Sequence, residues 1–410
     1  MKKSLLVIAV LPLFFSCEKS GEVQIKAPVQ ITLSAAESEI AGKNNAFTFN
    51  FLSRVIKANE GNIMVSPYSL AACLSMTANG AAGDTRDSIL TAIGFKDESI
   101  QNVNNYFYKI TGAISGADPT TKLAIANSIW YRNTLTAKPS FINSNQTYYN
   151  ALIKALDFNS ASSPSIIDNW ISDNTNGLIK DVIKYINPSE LMFIINAVYF
   201  KATWAKDYDF TKQNTTVRDF VTSKKEYCSV NMMNKMRSYK SVISNEYSAV
   251  AIPYGNNSFE YIAILPATGI STEDLAVKLS DEGYFSNMIN SFSYKNVLLG
   301  LPKFKYRFNT SLNTMLTGMG MGIALDSQKA DYSEIFENTG AYLSDIFQYN
   351  YIELNEEGTE AASVTVAKFA ATSGPAYEII EFNRPFIYII REKSSGVILF
   401  AGKVENPAKN

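Results

Sequence analysis

The chain has 410 residues, 46% hydrophobic and 18% charged, with a formal net charge of −1. That length holds one large core or two ordinary ones, and a near-neutral chain without a basic run excludes the usual footprint of a nucleic-acid partner. There is no histidine, which removes Ser-His-Asp and Cys-His catalysis, HExxH zinc sites and histidine pH switches.

The N-terminus reads as a targeting segment. Lys2-Lys3 precede a short apolar run from Leu5 to Phe15, well under the ~20 apolar residues needed to span a bilayer. The run ends in Ser16-Cys17, which resembles a bacterial lipoprotein processing site, although Phe14 and Phe15 are bulkier than its usual residues. The reading is a signal peptide over 1–16, lipidation of Cys17 and a tether over 17–38. It makes the protein an exported bacterial outer-membrane lipoprotein, on the periplasmic face or the cell surface, held to the membrane through its lipid only. A plain signal peptide with an incidental cysteine is the alternative. The remaining cysteines, Cys73 and Cys228, sit beside apolar residues and read as buried free thiols, with a single disulfide as the alternative.

From Glu39 to Asn410 no linker-like stretch divides the chain. Phe47, Phe51 and Val55, widened by Leu52, recur at helical spacing and predict a helix over 41–57. Ser66-Pro67 starts a second, which stops at Asn79-Gly80. The apolar runs 123–131, 193–200 and 261–265 have strand length, and 169–179 reads as a helix ending near Gly177. Phe386 to Ile390 and Val397 to Val404, joined by Ser394-Ser395-Gly396, form a hairpin. Helices dominate the first half and strands the second, so the fold class is α+β.

The stretch NEEGTEAASVTVAKFAATSGP, Asn355 to Pro375, fits neither a linker nor a core strand. Alternate residues of a strand point to opposite faces. One face here is Thr359, Ala361, Ser363, Thr365 and Ala367, all small; the other is Glu360, Ala362, Val364, Val366 and Lys368. A face of small residues can enter a preformed sheet without colliding with the core beneath, and Gly358 supplies a pivot.

Several blocks occur together: NIMVSPYSLAACLSMTANGAAGDTRDSI from Asn62, NAVYFKATW from Asn196, LPKFKYRF from Leu301, LTGMGMGIAL from Leu316, NEEGTEAA, FNRPFIYII and LFAGKVENP. In this order they resemble the serpins, over Glu39 to Asn410. The resemblance implies one domain over 39–410 with three β-sheets, about nine helices and an exposed reactive-centre loop at about 356–384. It implies a single-use inhibitor of serine, and also cysteine, proteases rather than an enzyme, working as a monomer without cofactor or metal. The hinge would be Glu357, Gly358, Thr359, Glu360, Ala361, Ala362 and Ser363. Family spacing from Gly358 puts the reactive bond at Thr372-Ser373, and counting back from Pro385 puts it at Gly374. Thr372 suits elastase-like or subtilisin-like proteases. Lys368 would suit trypsin-like and Phe369 chymotrypsin-like proteases as alternative sites, with a merely solubilising Lys368 as the bland reading. The family's histidine before the hinge is Gln348 here, whose expected partners where the sheet opens are Asn196 and nearby Ser66, with Trp204 packing near the sheet top. Gln donates and accepts but does not titrate. Rival readings are a non-inhibitory serpin-fold surface lipoprotein acting as a carrier, or an adhesin.

Overall fold

Ser34 begins the first helix. Its hydroxyl accepts from the Glu37 amide while the Glu37 carboxylate accepts from the Ser34 amide at 2.7 Å, a reciprocal cap that satisfies two of the open amides at a helix start. Helix α1 therefore runs Ala35–Ala58, starting earlier than the apolar stripe alone predicts. The computed structural model describes residues 27–187, 189–337, 341–343, 346–359 and 377–409. The signal segment, Cys17, the hinge residues Glu360 to Ser363, and Lys368, Phe369, Thr372 and Ser373 lie outside them.

The other helices among the described residues are α2 (Pro67–Ala78), α3 (Gly83–Ala92), α4 (Ile100–Ser115), α5 (Pro139–Tyr149), α6 (Ser163–Asn174), α7 (Thr272–Leu279), α8 (Glu282–Asn290) and the single turn α9 (Asn313–Leu316). The helix expected over 169–179 is displaced. It ends at Asn174 because Asn176 and Gly177 both have positive φ, 52° and 75°, so Leu178 and Ile179 fall in the strap that follows.

Strands β10 (Phe304–Ser311), β11 (Phe347–Asn355), β12 (Gly358–Thr359), β4 (Met192–Thr203), β2 (Lys122–Arg132) and β3 (Leu152–Leu156) form a six-stranded sheet in that order. The second sheet runs β1 (Ile63–Val65), β15 (Ile398–Val404), β14 (Phe386–Glu392), β8 (Phe259–Pro266), β7 (Tyr247–Pro253), β6 (Tyr227–Ile243), β9 (Ser293–Pro302) and β13 (Glu378–Glu381), with β5 (Thr215–Val221) also paired to β6. Two of the three expected sheets are thus continuous through the 17-residue β6. The predicted C-terminal hairpin is β14–β15; every residue of β15 is buried.

α1, α2 and the β15 hairpin share one hydrophobic core with the back of both sheets. A satellite cluster of Trp130, Phe158, Ile167 and Ile171 seats α6 on β2. Cys73 and Cys228 are free, as expected, but half-buried; burial pushes the Cys73 thiol up to about 12, leaving it unreactive. Among the described residues no helix is long and apolar enough to cross a membrane.

Candidate functional site: the hinge and the sheet it enters

The expected loop is bounded by strands at both ends. At its start β11 turns back on itself: Asn355 pairs with Gly358 and Leu354 with Thr359, leaving Glu356 and Glu357 as a two-residue turn. The Asn355 side chain accepts from the Glu357 amide at 3.0 Å, the local hydrogen bond that makes Asn favourable in turns. On its other side β12 pairs with β4, Gly358 opposite Thr203 and Thr359 opposite Ala202. The first two residues of a new central strand are already in the sheet. At the far end, Glu378–Glu381 is not loop but strand β13, parallel to β9, so the range 356–384 shortens from both sides.

Gly358 has φ of +144°, and a Cβ there would lie 2.1 Å from the Ala202 carbonyl oxygen. Only glycine fits so close a backbone approach with that dihedral. Thr359 is buried, 4% exposed, and its hydroxyl meets the Tyr254 hydroxyl at 2.7 Å. Tyr254 stacks on Trp204, ring centroids 4.7 Å apart. The Trp204 indole donates to the Asn355 carbonyl at 3.1 Å and its amide to the Glu357 carbonyl at 2.8 Å. Trp204 is therefore a clamp on the hinge turn.

Glu356 is the electrostatic anchor. Lys303 Nζ lies 2.9 Å from Glu356 Oε2, and Thr215 Oγ1 donates to Oε1 at 2.9 Å. Burial pushes the Glu356 carboxyl up, but Lys303, a backbone amide and Thr215 together hold it below the usual glutamate value. Glu357, the next residue, keeps one buried carboxylate oxygen without a hydrogen-bond partner among the described residues.

Gln348 and Asn196 each lie six residues along their strand from the hinge partners Leu354 and Ala202, ~20 Å away. Gln348 grips the Ser66 backbone twice, accepting from its amide at 3.0 Å and donating to its carbonyl at 2.9 Å. This pins β11 to the start of α2. The expected bond to Asn196 is replaced: Gln348 takes Asn350 as its side-chain neighbour, 3.2 Å, and Asn196 bonds the Ser69 hydroxyl and Asn127. Asn350, which also donates to the Met64 carbonyl at 3.0 Å, Ser69 and Asn127 were not legible as site residues. Only a fold shows which buried amides face one another. Between β4 and β11 beyond Thr359 runs a narrow cavity of about 20 Å³, lined by Val198, Phe200, Asn350 and Ile352 and covered by Leu178 and Ile179. That is room for about one water.

Residues 42–407 match the family described as Serpin (serine protease inhibitor). The chain belongs to the serpins. It is 30% identical to human Serpin B13 over 88% of its own length and 97% of that protein's. The native-state crystal structure of tengpin, a thermophilic serpin, superposes with a TM-score of 0.83 at 29% identity, covering 93% of this chain and 97% of the other. Human thyroxine-binding globulin gives 0.82 at 26% identity, covering 92% and 100%. Members of this family are in general protease inhibitors.

Proposed function

We propose that this serpin is a suicide substrate of serine endopeptidases, with cysteine endopeptidases as a second class. The observation that carries the reading is the seating of Gly358 and Thr359 between β4 and β11. Continued without a bulge, that register sets residue 361 opposite Phe200 and Ile352, and 363 opposite Val198 and Asn350. Leu354, Ile352, Ala202 and Phe200 are all buried, so the core side of the new strand would be the small face Thr359, Ala361, Ser363, Thr365, Ala367. Thr365 would arrive between Asn196 and Gln348, a polar residue among buried polar groups. Similarity to a thyroxine-binding globulin leaves the carrier reading open on fold alone; the small, β-branched insertion face favours inhibition.

In the reaction the protease's serine attacks the Thr372 carbonyl, the amine of Ser373 leaves, and an ester joins Thr372 to the enzyme. The freed strand inserts before water reaches the ester, carries the enzyme along the sheet and distorts its oxyanion hole, so deacylation stalls. Thr372 directs elastase-like and subtilisin-like enzymes, Lys368 trypsin-like and Phe369 chymotrypsin-like ones. Nine further residues, Glu360 to Lys368, enter after cleavage at Lys368, a shorter drag and a weaker trap. The protein acts as a monomer without cofactor, exported and held at the outer membrane by a lipid on Cys17.

The test mixes the chain, from residue 18 onward, with an elastase-like protease, boils the mixture in detergent and weighs the released C-terminal peptide. A surviving complex with a peptide beginning at Ser373 is expected. Complete cleavage without complex for every serine and cysteine protease tried would sink the inhibitory reading.

A further inference from the structure

A groove of about 490 Å³ opens beside the hinge turn, between the ends of β10 and β11 on one side and the start of β6 with Pro407 and Ala408 on the other. Its apolar lining is Val230, Phe304 and Leu354, all buried. Three lysines and three glutamates line it as well, and one of each, Lys303 and Glu356, neutralise each other. That leaves two charges of each sign. Lys305, on β10, stands opposite Glu353, on β11, yet the Glu353 carboxylate accepts from the Tyr351 hydroxyl at 2.8 Å instead. Among the described residues neither forms an ion pair, and nor do Lys212, just before β5, and Glu357. Glu357 also holds a buried carboxylate oxygen that no described group reaches. A buried acceptor without a donor is costly. Water can supply the donor, but an ammonium supplies it together with the opposite charge.

We propose that this groove is a binding site for a short peptide with free termini, independent of the gap between β4 and β11. The ammonium end meets Glu357 and Glu353, the carboxylate end meets Lys305 and Lys212, and an apolar side chain between them lies on Val230, Phe304 and Leu354. The argument is charge complementarity. Two open charges of each sign suit both ends of a zwitterion, whereas a polyanion is repelled by Glu353 and Glu357 and a polycation by Lys212 and Lys305. The volume lies within the range of roughly 300–1,000 Å³ in which pockets enclose small ligands. A peptide held there joins the hinge turn to β10, so it stabilises the seat of β12 according to its occupancy. Fragments left by an endopeptidase carry such free ends, so the site couples local proteolysis to the hinge.

The test uses the full chain from residue 18 and the tripeptide Ala-Leu-Ala, with free ends, with an N-terminal acetyl cap, with a C-terminal amide cap, and with both. Binding is read by isothermal titration calorimetry and by the rise in melting temperature. The expected result is saturable binding of the free tripeptide, weakened about fivefold by either cap. Lys212→Ala with Lys305→Ala should weaken the free tripeptide to a similar degree and make binding indifferent to the amide cap. Glu357→Gln should make it indifferent to the acetyl cap. These cross-comparisons separate contact with each end of the peptide from a general loss of fold, which the melting temperature without peptide reports. No saturable binding up to about 10 mM overturns the proposal, and so does equal binding of the free and doubly capped peptides. Binding that all three substitutions leave unchanged puts the peptide in the gap between β4 and β11 and also overturns it.

Discussion

Tyr254 and Thr359 touch through their hydroxyls at 2.7 Å, the one just past the end of β7 and the other the second residue of β12. Tyr254 is fully buried and stacked on Trp204. The contact ties the state of the loop to the aromatic core behind the sheet and fixes which way the hinge side chain points.

Thr359→Arg should turn the inhibitor into a substrate. A guanidinium cannot occupy the site against Tyr254, so the start of insertion must be undone. Slowing insertion by 1.4 kcal/mol relative to hydrolysis raises the ratio of cleaved to trapped inhibitor about tenfold, and the stoichiometry of inhibition rises with that ratio. The measurement is a titration of protease activity, and an unchanged stoichiometry would refute the hinge mechanism.

Gly358→Ala tests the pivot separately. Its Cβ would collide with the Ala202 carbonyl, so β12 must leave β4 at that point. Complex formation should persist in part, with a higher fraction of cleaved inhibitor on the gel. Wild-type partition in this variant would show that the Gly358–Thr203 pair is not kept during insertion.

Lys303→Ala leaves Glu356 as a buried carboxylate with its main countercharge gone. Because Lys303 is itself one-third exposed, the expected loss is on the order of 2 kcal/mol, less than for a fully enclosed pair. Differential scanning calorimetry should show the lower transition, and the protein should lose inhibitory activity faster on storage as the unanchored hinge inserts uncut.

Acid should act on the same anchor. The Glu356 carboxyl is held below its ordinary value, so its contribution to stability is complete above the unfolded value of about 4.3 and is lost as pH falls through the lower folded one. Spontaneous inactivation should therefore quicken only below about pH 4. Lys303→Ala should remove most of that dependence.

Gln348 predicts a contrast near neutrality. Its Oε1 accepts from the Ser66 amide and from Asn350, and an amide does not titrate. Thermal stability of the parent should be flat between pH 5.5 and 7.5. In Gln348→His a neutral ring can accept as Oε1 does, but a protonated one cannot. The variant should therefore weaken as pH falls through about 6.5. A pH-independent variant would mean that position 348 does not hold β11 to α2.

The sequence by itself determined the family, the α+β class and the turn at Gly358, because these rest on local chemistry. The glycine and the small alternate residues after Glu357, the Pro67 helix start and the apolar C-terminal hairpin are each readable within a dozen positions. It also pointed to Trp204, Gln348, Asn196 and Ser66, and to Ser66 as a neighbour of Gln348, but it paired Gln348 with Asn196 as well, which the structure does not. Only the tertiary structure decided that Gln348 holds the Ser66 backbone while Asn196 turns to Ser69 and Asn127. It alone joined Lys303 to Glu356 and Tyr254 to Thr359. Each of these contacts joins side chains from strands or helices far apart in the chain. Which partner a buried polar group finds is set by register and by how the layers stack. A strand's own alternation says that a residue faces inward; it does not say what waits there.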